Sequence, residues 1–333
     1  MTLKIKVIFP ALLAFGTLQA QYTEEINSNR PGMSQSAFAV GKTIAQVEAG
    51  INGVHEQHSI LNSEANGLTG DLAIRYGAFD ENLEFMVDMQ YRADQFQDAI
   101  YTYNRGDFSR FTLGAKYLVY DPNKYYDPKV NIYSWKANHK VNYHNFIPAV
   151  AVYAGFNFMT KNPYTFPDDK ISPKGVLILQ NNFGKWVWVN NLILDKIGTT
   201  YPSSGLISTI TRGFNEKWSG FLEFQAYKSD YYADGIGRVG AAYLFSENMQ
   251  FDASISGNFK DTPGILYGGV GFSWRFTANY EDVMLPGKGD REDLLEEDKK
   301  KQEKDKDKRK KEREERKKML EQEPIGPEPQ GGN

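Results

Sequence analysis

The stretch Tyr267–Phe276, YGGVGFSWRF, limits the folds open to this chain more than any other part of the sequence. Its apolar side chains recur at every second position, at Val270, Phe272, Trp274 and Phe276. A repeat of two residues is typical of a β-strand with one apolar face. About 9–11 residues suffice for a strand to cross a bilayer, and the terminal aromatic pair matches an interfacial girdle. The stretch therefore predicts a membrane-spanning, barrel-closing strand, with an edge strand of a soluble sandwich as the alternative.

The N-terminus predicts export from the cytoplasm. Lys4 and Lys6 precede an apolar run over Val7–Leu18, and Leu18-Gln19-Ala20 resembles a signal-peptidase site. We therefore expect residues 1–20 to be a signal peptide. The chain has no cysteine, which excludes a lipoprotein anchor and disulfides, and no later stretch is apolar enough for a transmembrane helix.

Alternating segments continue through residues 43–276, in a sequence rich in tyrosine, phenylalanine and glycine. We count about twelve segments, and single-chain bacterial barrels have an even number of strands. The predicted fold is all-β, a transmembrane antiparallel barrel of about 12 strands in the outer membrane of a Gram-negative bacterium, with both termini in the periplasm. Residues 21–42 are predicted to be a periplasmic segment or a plug.

The predicted connections alternate in length, as barrels with short periplasmic turns and long external loops require. The short ones are 77–82, 182–185, 213–217 and 245–248. The longer ones are 55–67, 92–109, 159–175, 195–205, 229–237 and 260–266. The connection 120–145 breaks this rule, and is either an additional strand pair or a periplasmic insertion. In the second case Tyr125, Tyr126 and Trp135 are candidates for docking a partner.

The region 277–333 is predicted to be a charged α-helical periplasmic tail with a proline-rich end. Arg291–Lys318 is almost entirely charged, and Glu296 and Glu312 each precede a basic residue by four positions, which supports a helix. Because both signs of charge are interspersed, nucleic acid is not an expected partner. The tail is either a solubilising spacer or a tether to other envelope proteins, with Leu294 and Leu295 as docking candidates.

The alternation also predicts which charged side chains face the barrel interior, while the outer face contacts outer-membrane lipid. The candidates are Glu48, Arg75, Glu84, Asp88, Glu223, Asp252 and Arg275. They either line a charge-selective pore or form a closed ion-pair network that fills the interior. We predict no catalytic residues, no metal site and no cofactor, since the four histidines have no carboxylate or cysteine at a ligand spacing.

Several of these segments resemble one family of outer-membrane proteins, the "Putative MetA-pathway of phenol degradation" family, whose members are described as transporter-like. The similar segments are Asn29–Ser36 (NRPGMSQS), Gln46–Gly50, Leu72–Gly77, Leu83–Phe85 and Tyr267–Phe276. The family has an acidic residue where this chain has Asn29. The resemblance implies a membrane barrel and a channel or transporter.

Two functions remain open at this point. The insertion 120–145 and the tail both fall on the predicted periplasmic side, which favours a structural or accessory subunit of an outer-membrane complex, such as an assembly or secretion machinery. The alternative is a channel for small, possibly aromatic, solutes. A lumen closed by side chains or by residues 21–42 would favour the accessory subunit, and an open lumen the channel.

Overall fold

The computed structural model describes residues 26–124, 143–158, 163–164 and 171–277. The predicted signal peptide, the predicted helical tail and the docking candidates Tyr125, Tyr126, Trp135, Leu294 and Leu295 lie outside these residues. Within them, no helix has the length and apolar character needed to cross a membrane.

Twelve antiparallel strands form a closed barrel, as predicted. The strands are β1 (Ala45–His58), β2 (Ser63–Gly77), β3 (Leu83–Gln97), β4 (Thr102–Tyr120), β5 (Ala149–Phe158), β6 (Ile171–Phe183), β7 (Trp186–Asp195), β8 (Ser203–Gly213), β9 (Trp218–Ser229), β10 (Ala233–Ser246), β11 (Met249–Asn258) and β12 (Gly264–Phe276). Each strand pairs with the next, and β12 pairs with β1 from Ala45 opposite Phe276 to Gln57 opposite Gly264. Closure leaves no strand edge unpaired, which a sheet in lipid requires.

The outer face of the barrel is apolar and carries aromatic side chains near both ends. At the end where β12 finishes, the exposed aromatic residues include Tyr76, Phe85, Trp186, Trp188, Trp218, Phe251, Trp274 and Phe276. Toward the opposite end they include Tyr91, Tyr103, Phe108 and Phe156. Between the two groups the strands expose aliphatic residues, such as Val270 at 63% exposure. This is the belt pattern of an outer-membrane barrel.

The strands are longer than the sequence pattern predicted, and the expected loops 55–67 and 92–109 are wrong. The β1–β2 connection is only 59–62, and the β3–β4 connection is 98–101. Beyond the apolar belt the alternation of apolar and polar residues stops, although backbone pairing continues. Polar cross-strand pairs stabilise the backbone pairing in this part of the strands: His55 contacts Asn66 at 2.6 Å, and Arg105 donates to Asp94 at 2.8 Å.

The connection from β4 to β5 remains the longest, at residues 121–148. Its described parts include a 3₁₀ turn over Tyr143–Phe146, and His144 Nε2 lies 2.9 Å from the carbonyl oxygen of Pro122. Residues 125–142 lie outside the described part, so the insertion and the additional strand pair both remain predictions.

The effect of a charge on the lipid-facing side of β12 is expected to depend on its depth in the bilayer. Arg at the bilayer midplane costs about 2–4 kcal/mol, and near an interface about 0–1 kcal/mol. Val270→Arg should therefore lower the free energy of unfolding in phospholipid vesicles much more than Phe276→Arg, which lies in the aromatic belt. Guanidinium titration of tryptophan fluorescence measures both values. Equal costs for the two variants would mean that β12 does not cross the bilayer as assigned.

Candidate functional site

Residues 26–44, which we call the plug, lie inside the barrel and precede β1. Backbone hydrogen bonds hold both of its ends to the wall: the Ile26 amide donates to Glu247 O at 2.8 Å, and the Thr43 amide donates to Gly77 O at 2.8 Å. Between these points the plug bonds to side chains from strands on all sides of the barrel. It therefore crosses the lumen.

Arg30 fixes the plug to β11. Its Nε and one terminal nitrogen donate to the two carboxylate oxygens of Asp252, both at 3.1 Å, in a bidentate ion pair. The guanidinium lies over Gly50 and Gly271, which face each other across the β1–β12 pair. A Cβ added to either glycine would collide with the guanidinium. The two glycines thus make the space that this side chain occupies.

Glu223 of β9 holds the turn of the plug. Its Oε2 accepts hydrogen bonds from the amides of Met33 at 2.9 Å and Ser34 at 3.2 Å, and from the Thr209 hydroxyl at 2.7 Å. Gly32 approaches the same oxygen so closely that a Cβ there would lie 2.7 Å from it. This carboxylate satisfies backbone donors that the plug, with no strand partner, would otherwise leave unpaired.

Four fully buried charges form the base cluster, which holds the other part of the plug. Arg75 donates to both oxygens of Glu84 at 2.9 Å and to Glu48 at 3.1 Å, and Lys116 lies 3.2 Å from Glu84. Two cations and two anions balance, as burial demands.

The same charges bond to the main chain of the plug. Lys116 donates to the carbonyl oxygens of Ser36 and Phe38, at 2.8 and 2.9 Å, and the Val40 amide donates to Glu84 at 2.9 Å.

Two cavities of similar size lie on the two sides of the plug. One has a volume of about 210 Å³ and lies between the plug and β6–β11, near the end where the plug enters; Gln180, Thr209 and Gln250 line it. The other, of about 220 Å³, lies farther into the lumen, where Met33 faces Arg110 and Tyr227. Plug residues line both cavities: Arg30, Pro31, Gly32 and Ser34 line the first, and Met33 lines the second.

Near the opposite end, an ion-pair cluster projects from β3 and β4. Asp94 accepts from Arg92 at 2.7 Å and from Arg105 at 2.8 Å, and Arg92 also donates to Glu56 at 2.8 Å. Tyr164, from the β5–β6 connection, lies under both guanidinium groups at 4.8 and 5.1 Å from its ring centroid. Burial, and then the Asp94 carboxylate, raise the pKa of the Tyr164 hydroxyl to about 12, so it stays a neutral donor.

The structure brings together five of the seven interior residues predicted from the sequence, because each contacts the plug or supports a residue that does. They are Glu48, Arg75, Glu84, Glu223 and Asp252. Asp88 instead pairs with Arg110 at 3.1 Å, away from the plug. Arg275 donates to Asn248 Oδ1 at 2.9 Å and so holds the β10–β11 turn.

Sequence reasoning did not identify Arg30 and Lys116 as site residues. Arg30 precedes the strands and has no alternation to place it. Lys116 lies within an alternating segment as an inward position, so the alternation rule could have included it. Among the described residues, no group of three histidine or carboxylate side chains is arranged to hold a metal ion.

The family model described as "Putative MetA-pathway of phenol degradation" matches residues 28–276, which include most of the plug and the whole barrel. The chain belongs to this family. No curated protein matches the sequence.

Similar solved structures include an outer-membrane channel from Pseudomonas putida F1, with a TM-score of 0.48 and 9% identity over 76% of this chain and 100% of that one. The translocator domain of the autotransporter NalP from Neisseria meningitidis has a TM-score of 0.43 and 11% identity, over 71% and 89%. The CymD monoaromatic hydrocarbon channel has a TM-score of 0.39 and 9% identity, also over 71% and 89%.

The family match overturns the prediction that the barrel is an accessory subunit of an assembly or secretion complex. The family is named for a degradation pathway of a small aromatic compound, and its model begins at residue 28. Plug residues 28–44 lie within the family match, so a lumen closed by the plug does not indicate an accessory subunit. The error came from giving weight to 120–145 and to the tail; of these, the tail lies outside the family match.

The base cluster makes a stability prediction. Arg75→Gln leaves two buried carboxylates facing only Lys116, and should cost about 3–5 kcal/mol because an uncompensated charge stays buried. Adding Glu84→Gln restores the charge balance and should recover part of the loss. Denaturant unfolding in vesicles measures the cycle. Arg105→Gln is the control, because Asp94 keeps Arg92 as a partner; a loss as large for Arg105→Gln would show that the base cluster has no special role.

Proposed function

We propose that this protein is an outer-membrane channel for small solutes of about one aromatic ring, and that the plug is its gate. The observation that carries the proposal is that plug residues 30–34 line both cavities, one on each side of this segment. A solute that crosses the barrel from one cavity to the other must pass this segment. The family description, which names a pathway for phenol, supports a small aromatic solute.

The size of the cavities supports the same class of solute. A protein cavity of roughly 150 Å³ holds benzene, and the volumes here are about 210 and 220 Å³. Larger solutes would need the plug to leave the lumen altogether.

The lining of the inner cavity suits a ring that carries a polar substituent. Met33, Tyr227 and Tyr267 offer apolar and aromatic surface, and Arg110 and Arg238 offer donors. Arg238 Nε is buried without a hydrogen-bond partner among the described residues, although Glu223 Oε1 lies 3.7 Å from it. A hydroxyl oxygen of a solute would satisfy it without placing a second carboxylate beside Glu223.

The anchors of the plug divide into a part suited to move and a part suited to stay. Residues 36–44 are held by the fully buried base cluster, and Thr43 and Ile44 pair with Gly77 at the end of β2. Residues 28–34 are held by Arg30, whose side chain is 14% exposed, by the buried Glu223, and by one bond of the Asn29 amide to Glu48. Water from the adjoining cavities can replace the bonds of Arg30 at lower cost than those of the base cluster. We therefore propose that residues 28–34 move while residues 36–44 remain bound.

We further propose that the plug enters from the periplasm. The hairpins β1–β2 and β3–β4 extend beyond the aromatic belt at the opposite end, as external extensions of outer-membrane barrels do. An even number of strands then returns the end of β12 to the periplasmic side.

A disulfide between plug and wall tests the gate directly, because the chain contains no cysteine. Ser28 Oγ and Ser273 Oγ lie 2.6 Å apart, so Ser28→Cys and Ser273→Cys together place two thiols in reach of each other. Oxidation should lower bilayer conductance and uptake of 4-hydroxybenzoate into proteoliposomes by about tenfold or more, which corresponds to about 1.4 kcal/mol in the opening equilibrium. A thiol reductant should restore both.

The single variants Ser28→Cys and Ser273→Cys control for the substitutions, and their activity should not respond to oxidant. Equal uptake by the oxidised and reduced double variant would contradict the plug as gate. Absence of conductance and uptake in every form, including the wild type, would contradict the channel itself.

A further inference from the structure

Arg212 projects from the outer face of the barrel at the level of the aromatic belt. Along β8, Ile207 and Thr209 are buried toward the lumen, and the alternation therefore points Ile210 and Arg212 outward. Arg212 stands opposite Trp186 in the β7–β8 pair, one residue before β8 ends. A guanidinium at this position faces the lipid headgroup region.

Two aromatic rings hold this guanidinium in place. Its central carbon lies 4.9 Å from the ring centroid of Trp186 and 5.9 Å from that of Phe214. Phe214 in turn packs over Gly220, where an added Cβ would lie 2.9 Å from the ring. Among the described residues Arg212 has no carboxylate partner, so its planar donors are positioned but free to bind a ligand.

A groove beside Arg212 adds two further cations. It has a volume of about 760 Å³ and lies between the turns that follow β6 and β8, with Lys185 and Lys217 in its lining. Trp218 and Tyr243, whose ring centroids are 4.9 Å apart, form its apolar wall. Glu216 is the one acidic residue that lines it, so with Arg212 the site carries an excess of two positive charges.

We propose that Lys185, Arg212 and Lys217 bind the phosphate of an anionic phospholipid in the leaflet at the plug end of the barrel. Arginine binds phosphate oxygens through paired donors, and basic residues at the membrane surface attract anionic headgroups. The site lies in the aromatic belt, which is at the depth of the lipid headgroups. At this depth the rings of Trp186 and Trp218 contact the upper acyl chain while the three cations reach the phosphate.

A phospholipid fits this site better than a soluble anion or a protein. The rings beside Arg212 are exposed and point outward into the region that lipid occupies, and the connecting turns are too short to cover them. The excess positive charge selects an anionic over a zwitterionic headgroup. The site lies on the outer surface, so it does not depend on whether the lumen conducts.

Native mass spectrometry of the full-length barrel in detergent, with added phosphatidylglycerol or phosphatidylcholine, tests the proposal. Arg212→Gln should weaken phosphatidylglycerol binding about fivefold, and the triple variant Lys185→Gln, Arg212→Gln, Lys217→Gln about 100-fold, at the usual contribution of each surface cation. Phosphatidylcholine should bind weakly to every form.

Lys228→Gln is the matched control, because Lys228 is an exposed cation on β9 at the opposite end of the barrel. It should retain full phosphatidylglycerol binding. Equal loss in this control, equal binding of the two lipids, or undiminished binding by the triple variant would overturn the proposal. Stronger binding of lipid A than of phosphatidylglycerol, lost in the triple variant, would overturn the choice of phospholipid and place this end in the outer leaflet.

Discussion

The structure depends on the pairing of buried charge with the main chain of the plug. Between its two ends, a segment inside a barrel cannot pair its backbone with a neighbouring strand, because every strand already has two partners. Here Glu223, Glu84 and Lys116 supply the missing donors and acceptors. The dependence is mutual, since without the plug these side chains would face an interior with fewer partners. Barrel wall and plug therefore form one polar network, and the ion pairs within the wall neutralise it.

This network explains why the interior was the harder part to predict. The alternation in Tyr267–Phe276 and in the other strands reports which face meets lipid, and it correctly gave twelve antiparallel strands. It also put Glu48, Arg75 and Glu84 on the inner face. The alternation does not predict what these side chains bind, because their partners lie in the plug, whose sequence has no alternation of apolar and polar residues. The bidentate contact of Arg30 with Asp252 therefore could not be predicted from the sequence.

The strand ends were mispredicted for a related physical reason. Hydrophobic alternation is imposed by lipid, and it ceases where the hairpins leave the bilayer, whereas backbone hydrogen bonding has no such limit. The cross-strand pairs at Asp94 and Asn66 continue the sheet in water. A method that relies on alternation measures the membrane thickness and not the strand length.

The two faces of β8 lie in different environments, the barrel lumen and the lipid headgroup region. Thr209 turns inward and bonds to Glu223, which holds the plug, while Arg212 turns outward between Trp186 and Phe214. The inner residue finds its partner in protein, because Glu223 projects into the lumen beside it. The outer residue lies at a depth where the available anion is a lipid phosphate. Arg212 is held by rings and has no carboxylate partner in the described part of the chain, which is why we propose that its partner at that depth is the membrane.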